Sequence, residues 1–197
     1  MAEIRLRTPL SESDVRQLRV GDAVLLDGVV FGVRDGNMIR IFDQHVAPPC
    51  DWRGAALLHT APNVRKIGPG KYEPVSVGTT TSMRMDGFTE GLLRDYGVRA
   101  ILGKGGLSPK SAELMQRHGA VYLSVTGGAA AMETLQIEEI EKVYWEDLMP
   151  ESIWQFRFRG LGPMTVGIDT HGGNLQHEVQ AQAQEKTAEL LRKMGIV

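Results

Sequence analysis

Apolar residues recur along the chain with two different periods, which predicts a mixed α/β fold. Residues 153–159 alternate, with Trp154, Phe156 and Phe158 on one face, as in a half-buried strand. Residues 175–194 carry a thin apolar stripe at helical spacing on an otherwise polar segment. The same patterns, with their capping residues, predict four more helices: one that Ser11 and Asp14 cap and that ends before Gly21, one over 36–46 that Pro48-Pro49 ends, one that Asp86 caps and Gly97 ends, and one over 129–140. They also predict a buried strand over 54–62 and a strand over 164–169. A hairpin is predicted around Asp27-Gly28 and a turn over 68–72.

The clearest unit is a strand, a helix and a second strand within residues 98–126. After an apolar run and a glycine loop, Ser108 caps the predicted helix, Pro109 lies in its first turn and Gly119 ends it. The second strand is predicted over 120–125. Because a crossover of this kind joins parallel strands, part of the sheet is predicted to be parallel.

Composition and charge narrow the class of protein. A chain of 197 residues with 42% hydrophobic residues can bury one core, so we expect a single domain over residues 1–197. The formal net charge of -2 offers no basic surface for nucleic acid or an anionic membrane. No signal peptide or membrane-spanning run occurs, which predicts a soluble cytoplasmic protein. The single cysteine, Cys50, cannot alone hold zinc or an iron–sulfur cluster.

Three basic residues lie at three predicted helix entrances. Arg34 stands between a strand and a helix, and Lys104 lies in the glycine loop before the next helix. Arg84 follows Thr80 and Thr81. Helix N-termini favour anions, because their N–H groups are free and the helix dipole is positive there. Arginine supplies a planar fork for a carboxylate, lysine a point charge and threonine a neutral donor, so these groups are suited to a small dianion.

These positions also have structural interpretations. The GKGG segment around Lys104 matches neither a P-loop nor a dinucleotide fingerprint, so a solvated loop lysine is equally consistent with it. Arg84 is also consistent with a structural ion pair, and the threonine run with a helix cap. Met83 and Met85 are predicted to pack rather than to contact a ligand.

Two further groups of polar residues have both a structural and a functional interpretation. His59 lies in an apolar strand and is predicted to be a satisfied core histidine rather than a catalyst. Asp169, Thr170, His171 and Asn174 bracket two glycines after a strand. A turn built from capping residues explains this pattern as well as a binding site does.

Four separated motifs carry a family resemblance. VSVGTTTSMRMD, GVRAILGKGGL, IEEIEKVYWEDLMPES and IDTHGGNL occur in this order along the chain. They resemble the β subunit, or C-terminal domain, of class I fumarases and the related L-tartrate dehydratases. The similarity extends over nearly the whole chain, from RVGDAVLLDG to IDTHGGNL. Four motifs in the family's order make the resemblance specific.

The resemblance implies a fold, a reaction and a partner. The implied fold is an α/β swivelling domain with three β/β/α layers and a mixed sheet. Family members add or remove water on a C4 dicarboxylate, between fumarate and malate or from tartrate to oxaloacetate, with a [4Fe-4S] cluster. The cluster belongs to the α subunit, so no metal ligand is expected in this chain. The implied assembly is a heterotetramer of two α and two β subunits (α₂β₂).

The resemblance also implies residue roles. It assigns the substrate to five side chains: Arg34, Thr80, Thr81, Arg84 and Lys104. The three cations would hold the carboxylates. Thr80 would also be catalytic, positioning the substrate and handling a proton if its neighbours activate it. Asp35 would support these groups from behind.

Two positions differ from the family's pattern. Met38 stands in the place of a histidine in the RDxxHxR motif, and Thr79 in the place of a proline before the threonine pair. Neither change removes a cation, but Met38 leaves fumarate, tartrate and mesaconate open as substrates. A second hypothesis is a non-catalytic swivelling domain that binds a small dicarboxylate or another anion in regulation or assembly.

Overall fold

The computed structural model describes residues 3–126, 128 and 130–196. Its strands are β1 (Glu3–Arg7), β2 (Ala23–Val33), β3 (Ala56–His59), β4 (Asn63–Gly68), β5 (Lys71–Ser76), β6 (Ala100–Gly103), β7 (Val121–Ser124), β8 (Ile137–Tyr144) and β9 (Ile153–Ile168). Its helices are α1 (Glu12–Arg16), α2 (Asp35–Met38), α3 (Thr89–Arg94), α4 (Pro109–His118), α5 (Ala130–Leu135) and α6 (Leu175–Lys193). A π-helical turn over Ile39–Asp43 continues α2, and short 3₁₀ helices span Ser82–Phe88 and Glu146–Leu148.

The main sheet closes on itself. The strands β2, β3, β6 and β7 pair in this order and run parallel to one another. The long strand β9 runs antiparallel to β7 and also to β2, so the pairings return to the strand on which they began. Outside this ring, β1 pairs in parallel with β2, and β8 pairs antiparallel with β9. The fold is therefore mixed α/β with a mixed sheet, as the sequence predicted.

Alternating residues of the ring strands fill two apolar clusters. One cluster contains Leu58, Leu102 and Phe156, and draws on every strand of the ring, so it fills the interior. The other contains Leu57 and Ile101 together with residues of α2, α3 and α4, so it lies between the ring and the helices. The period of two along each strand supplies both clusters from adjacent positions.

Local signals predicted several elements correctly. Ser11 and Asp14 form a capping box at the start of α1. Ser108 accepts a hydrogen bond from the Ser111 N–H and caps α4, and Gly119 ends that helix in the left-handed conformation with φ 65°. The strands on either side of α4 are parallel neighbours, so the predicted crossover is confirmed.

The hairpin predicted at Asp27-Gly28 is wrong. β2 continues through both residues, and its pairing with β9 shifts register between Leu26 and Gly28. Gly28 has φ 101°, so the glycine makes a bulge in one strand instead of reversing the chain. A Cβ at this position would lie 2.6 Å from the Thr8 hydroxyl oxygen, which leaves room for glycine alone.

The helix predicted over 129–140 ends early, at Leu135. Ala129 lies outside the described residues. From Ile137 the chain runs as β8 along β9, and Ile140 reaches the interior cluster. Strand pairing thus overrides a composition that suits a helix equally well.

The two strands predicted over 153–159 and 164–169 are a single strand, β9. Gly160 and Gly162, with φ 63° and 130°, lie where the sequence indicated a break. Trp154 is fully buried, as its alternation with polar neighbours predicted.

The tail is helical, as predicted. Asn174 caps α6 by accepting a hydrogen bond from the His177 N–H at 3.2 Å. Most of the described residues of this helix are exposed, Leu190 among them. Within the described part of the chain, no helix has the length and apolar character needed to span a membrane.

Candidate functional site

The candidate site lies at the carboxyl edge of three parallel strands. β2 ends at Val33, β3 at His59 and β6 at Gly103. Arg34 and Lys104 follow two of these strands directly, so the fold brings them to one edge of the ring. The carboxyl edge of a parallel sheet is where open α/β folds commonly bind ligands.

The threonine segment, residues 79–82, is bound to the end of β3 on one side. Thr79 forms an isolated β-bridge with Thr60. The Thr80 N–H donates to the His59 carbonyl at 2.7 Å. These two contacts set the register of the segment against β3 and leave Thr80 half-buried at the edge.

On its other side the segment is bound to the glycine loop after β6. Thr81 forms an isolated bridge with Lys104. The Ser82 N–H donates to the Lys104 carbonyl at 2.9 Å. The segment therefore joins two strand ends, with Thr80 against the end of β3 and Thr81 beside the backbone of Lys104.

Asp35 joins the two arginines that the sequence singled out. Its Oδ2 lies 3.2 Å from Arg34 Nε and 3.2 Å from a terminal nitrogen of Arg84. The Arg34 side chain is mostly buried, whereas that of Arg84 is 54% exposed. A carboxylate between two guanidinium groups offsets their repulsion and leaves several N–H donors on each arginine free.

Glu151, in the connection between β8 and β9, is a residue that sequence reasoning missed. Its Oε1 lies 3.4 Å from Arg34 Nε, and its Oε2 accepts from the Gly36 N–H at 2.7 Å. Its carbonyl accepts from the Asn37 side chain at 2.7 Å, and Asn37 Oδ1 accepts from the Arg34 N–H at 2.8 Å. The entrance of α2 is therefore partly occupied by a carboxylate of the chain itself, where the sequence predicted free N–H groups. A separation of 115 residues leaves no local signal for this contact.

The prediction that Asp86 caps the helix that follows it is wrong. Asp86 lies with Arg84 inside the short helix Ser82–Phe88. Its two oxygens accept from the Ser108 N–H at 2.8 Å, from the Ser108 hydroxyl at 2.7 Å and from the Ser111 hydroxyl at 2.7 Å. Asp86 thus occupies the entrance of α4 and fixes the short helix to it.

Both arginines at this edge are paired with carboxylates, Asp35 with Arg34 and Arg84 and Glu151 with Arg34. Within the described part of the chain, Lys104 takes part in no ion pair. The edge is therefore suited electrostatically to an anion.

The methionines near the site differ in burial. Met85 is 1% exposed and packs between the ring and the helices, as predicted, but Met83 is 47% exposed, so the packing prediction for it is wrong. Met38 is fully buried in the same cluster. Its side chain therefore lies behind the candidate site rather than on its surface.

His59 is buried but only half satisfied. Its Nδ1 lies 3.0 Å from Ser82 Oγ, whereas its Nε2 has no hydrogen-bond partner within the described structure. Burial lowers the pKa of His59 to about 4, although the negative charge of Asp35 acts in the opposite direction. The prediction of a core histidine is right, and the prediction that it is satisfied is wrong.

The polar turn after β9 is structural. Burial acts to raise the pKa of Asp169, but N–H groups of Val20, His171 and Gly173 donate to its oxygens and keep that pKa below its usual range. Asn174 caps α6. Of the two interpretations of this segment, its hydrogen bonds favour the turn.

The described residues do not fit a metal cluster. Among them, no group of three or more His, Cys, Asp or Glu side chains is arranged to hold a metal ion. Burial raises the pKa of the Cys50 thiol to about 11, so the thiol stays protonated near neutral pH, and the thiolate is the form that binds iron.

The chain is similar in sequence to known proteins over most of its length. The family model for the fumarase C-terminus matches residues 1–179. Over 171 residues the chain is 42% identical to the L(+)-tartrate dehydratase subunit beta of Escherichia coli (strain K12), covering 86% of this chain and 85% of that protein. Over 187 residues it is 32% identical to a putative L(+)-tartrate dehydratase subunit beta of Methanocaldococcus jannaschii, covering 92% of this chain and 95% of that protein. A putative fumarate hydratase class I of Geobacillus stearothermophilus is also 32% identical over 187 residues, which are 94% of this chain and 36% of that longer protein.

Proposed function

The chain belongs to the fumarase C-terminus family, and we propose that it is the β subunit of a hydro-lyase that acts on a C4 dicarboxylate. The observation that carries the proposal is the set of three cations, Arg34, Arg84 and Lys104, around the threonine segment at one edge of the ring. A dicarboxylate carries two negative charges, and among the described residues this edge has a lysine without an ion-pair partner and arginines with N–H donors to spare. Arg34 and Lys104 directly follow strand ends and Arg84 lies in a short helix, and such elements hold a site more rigidly than long loops do.

In this proposal the arginines bind carboxylate oxygens. Each guanidinium has five N–H donors, and Asp35 uses few of them. Arg34 and Arg84 therefore have donors left for one carboxylate, and Lys104 binds the other as a point charge. Asp35 supports the pair by holding the two guanidinium groups side by side.

The two threonines complete the substrate site in this proposal. The hydroxyls of Thr80 and Thr81 donate to substrate oxygens and orient the C–H that is to be broken. Thr80 is the candidate for proton transfer. A hydroxyl is a weak base at its free pKa, so this role requires a neighbouring charge that stabilises the alkoxide, which the cations of the site supply.

L-Tartrate is the first substrate to test. The 42% identity to a protein named L(+)-tartrate dehydratase subunit beta supports it over fumarate, for which the named relative is 32% identical. Loss of water from tartrate gives an enol that becomes oxaloacetate, whereas fumarate gains water to become malate. Mesaconate, with one extra methyl group, tests how much room the site leaves.

The name "subunit beta" of the relatives supports an α partner. We propose that this partner is an iron–sulfur α subunit that holds the [4Fe-4S] cluster, since the described residues here do not fit one. We further propose an α₂β₂ assembly in the cytoplasm, with residues 1–197 as one swivelling β/β/α domain. The closed ring with helices outside it supports this fold assignment.

The test is co-expression with a candidate α subunit without oxygen. The expected result is a brown complex that converts L-tartrate, fumarate or mesaconate, with product followed by absorbance or NMR. A stable, colourless chain that never binds such a partner would contradict the proposal. Calorimetry on the chain alone distinguishes the second hypothesis, because a non-catalytic domain would bind a dicarboxylate without any partner.

A further inference from the structure

A hydrogen-bonded chain of three buried polar side chains includes Ser82, the last residue of the threonine segment. The Tyr122 hydroxyl donates to Ser82 Oγ at 3.0 Å, and Ser82 Oγ lies 3.0 Å from His59 Nδ1. Each of the three residues is at most 1% exposed. They belong to β7, to the short helix Ser82–Phe88 and to β3, so three separate elements meet at Ser82.

This arrangement carries a cost that packing alone does not explain. His59 Nε2 is buried and, within the described structure, unpaired. An unpaired buried polar group destabilises the folded chain, and an apolar side chain in this layer would avoid that cost. The neighbouring position on the same face of β3, Leu57, is apolar and fully buried. Packing therefore does not explain an imidazole at residue 59, whereas the hydrogen bond between its Nδ1 and Ser82 does.

We propose that His59 is a positioning residue that holds the threonine segment in register through Ser82. Ser82 lies two residues after Thr80 and two before Arg84, so it is the midpoint between two groups of the site. Backbone bonds alone recur at every second residue and would permit slippage. The side-chain bond between Ser82 and His59 forms in one register only. The inference deepens the proposed function, because it concerns the same site.

The protonation states of Tyr122 and His59 fix which groups donate and which accept in these hydrogen bonds. The His59 imidazole is neutral near neutral pH because burial lowers its pKa to about 4, and Tyr122 remains a donor because burial raises its pKa to about 12. Since Tyr122 donates to Ser82, the Ser82 proton is free to be donated to His59 Nδ1, which puts the imidazole proton on Nε2. The hydroxyl protons of Tyr122 and Ser82 are then both donated in hydrogen bonds.

Two substitutions distinguish the nitrogens of His59. His59→Asn keeps a polar atom near the position of Nδ1 and removes Nε2, whereas His59→Gln places its polar atoms near the position of Nε2. In the complex with the α partner, we expect His59→Gln and His59→Ala to lose about 100-fold in kcat/KM, because a small misplacement of site groups has that effect. His59→Asn should stay within a few-fold of the wild type. Leu57→Val, on the same strand and face, is the control for lost packing volume.

A second measurement does not depend on activity. Amide hydrogen exchange of residues 77–85 in the full chain alone should accelerate in His59→Ala, His59→Gln and Ser82→Ala, and should stay close to wild type in His59→Asn. Unchanged exchange in all of these variants would overturn the proposal, and so would an active Gln variant beside an inactive Asn variant. If the segment loosens as expected while no complex, wild type included, converts a dicarboxylate, the positioning role stands and the proposed function fails.

Discussion

At the scale of single residues, the two site arginines are held very differently. Arg34 contacts two carboxylates and is mostly buried, whereas Arg84 contacts Asp35 alone among the described ion pairs and is 54% exposed. A half-exposed ion pair contributes little to the free energy of unfolding, at most about 1 kcal/mol. Substitution of Arg84 should therefore change substrate binding while leaving the free energy of unfolding nearly unchanged.

We expect Arg84→Ala to lower kcat/KM for the dicarboxylate about 10- to 100-fold, since a hydrogen bond to a charged group is worth roughly 1.5–3 kcal/mol. The free energy of unfolding of the chain should change by less than about 1 kcal/mol. Steady-state kinetics of the complex and urea unfolding of the chain measure the two quantities.

The matched control is Arg65→Ala, which removes an exposed arginine that pairs with Glu73 on the β4–β5 hairpin. It should leave both quantities near those of the wild type. Unchanged kinetics in Arg84→Ala would move the substrate site away from this edge.

His59 predicts a pH dependence of stability. Its pKa is about 4 in the folded chain and 6.5 as a free side chain, so the unfolded state binds the extra proton first as pH falls. The free energy of unfolding should therefore decrease as pH falls from about 6.5 to about 4, with a slope near 1.4 kcal/mol per pH unit from this residue alone.

The measurement is urea unfolding of the wild type and of His59→Asn across this pH range. Other groups titrate equally in both proteins, so the difference between the two curves reports His59. The wild type should lose on the order of 2–3 kcal/mol more than the variant. Parallel curves would mean that His59 is protonated, or exposed, in the folded chain.

At the scale of elements, the sequence predicted what adjacent residues decide. Ser108, Pro109 and Gly119 lie at the ends of α4, and their cap chemistry is readable locally. The bulge at Gly28 was mistaken for a hairpin, because the strand that continues past it is paired with β9, more than 100 residues away. A supporting role for Asp35 came from the family resemblance and not from local residue patterns, and its contacts with Arg34 and Arg84 are seen only in the folded chain.

Long-range polar contacts escaped the sequence for the same reason. Glu151 reaches α2 across 115 residues, and Asp86 reaches α4 across 22. Either carboxylate could equally be a solvated surface residue in the sequence alone. The structure brings the predicted cations and threonines to one edge of the ring, but the contacts of Glu151 and Asp86 that hold this edge together left no local signal in the sequence.

The helix α5 contains a carboxyl group that its surroundings do not support. Glu133 is 3% exposed, and neither oxygen has a hydrogen-bond partner in the described structure. Burial raises the pKa of Glu133 to about 7, whereas a free glutamate titrates near 4.5. The unfolded state therefore releases the proton first, and the free energy of unfolding should decrease as pH rises from 4.5 to about 7.

We expect Glu133→Gln to be more stable than the wild type at about pH 8 by on the order of 2 kcal/mol, and equally stable at about pH 4, because the amide never ionises. Thermal unfolding of both proteins at the two pH values measures this. Glu138→Gln, at an exposed position of β8, is the control and should show no such pH-dependent gain. A Gln variant that is less stable at high pH would mean that the Glu133 carboxylate has a cationic partner.

At the scale of the whole molecule, stability resides in the ring and not in the tail. The two apolar clusters draw on the ring strands and on helices that precede α6. The family model ends at residue 179, within the first turns of α6. Beyond that point most of the described side chains of the helix are exposed, including Leu190. The second half of α6 therefore contributes little to the free energy of unfolding of the chain.

We expect a chain that ends at Gln184 to unfold within about 0.5 kcal/mol of the full chain, because it removes residues with little buried surface. A chain that ends at Asn174 should be less stable by more than that, since it also removes the first turns of α6, where Gln176 and Val179 line a groove with Leu107. Circular dichroism during thermal unfolding distinguishes the two truncations. If both lose the same stability, the far half of α6 is packed in solution against a second copy of the chain, and the unfolding temperature of the full chain should then rise with its concentration.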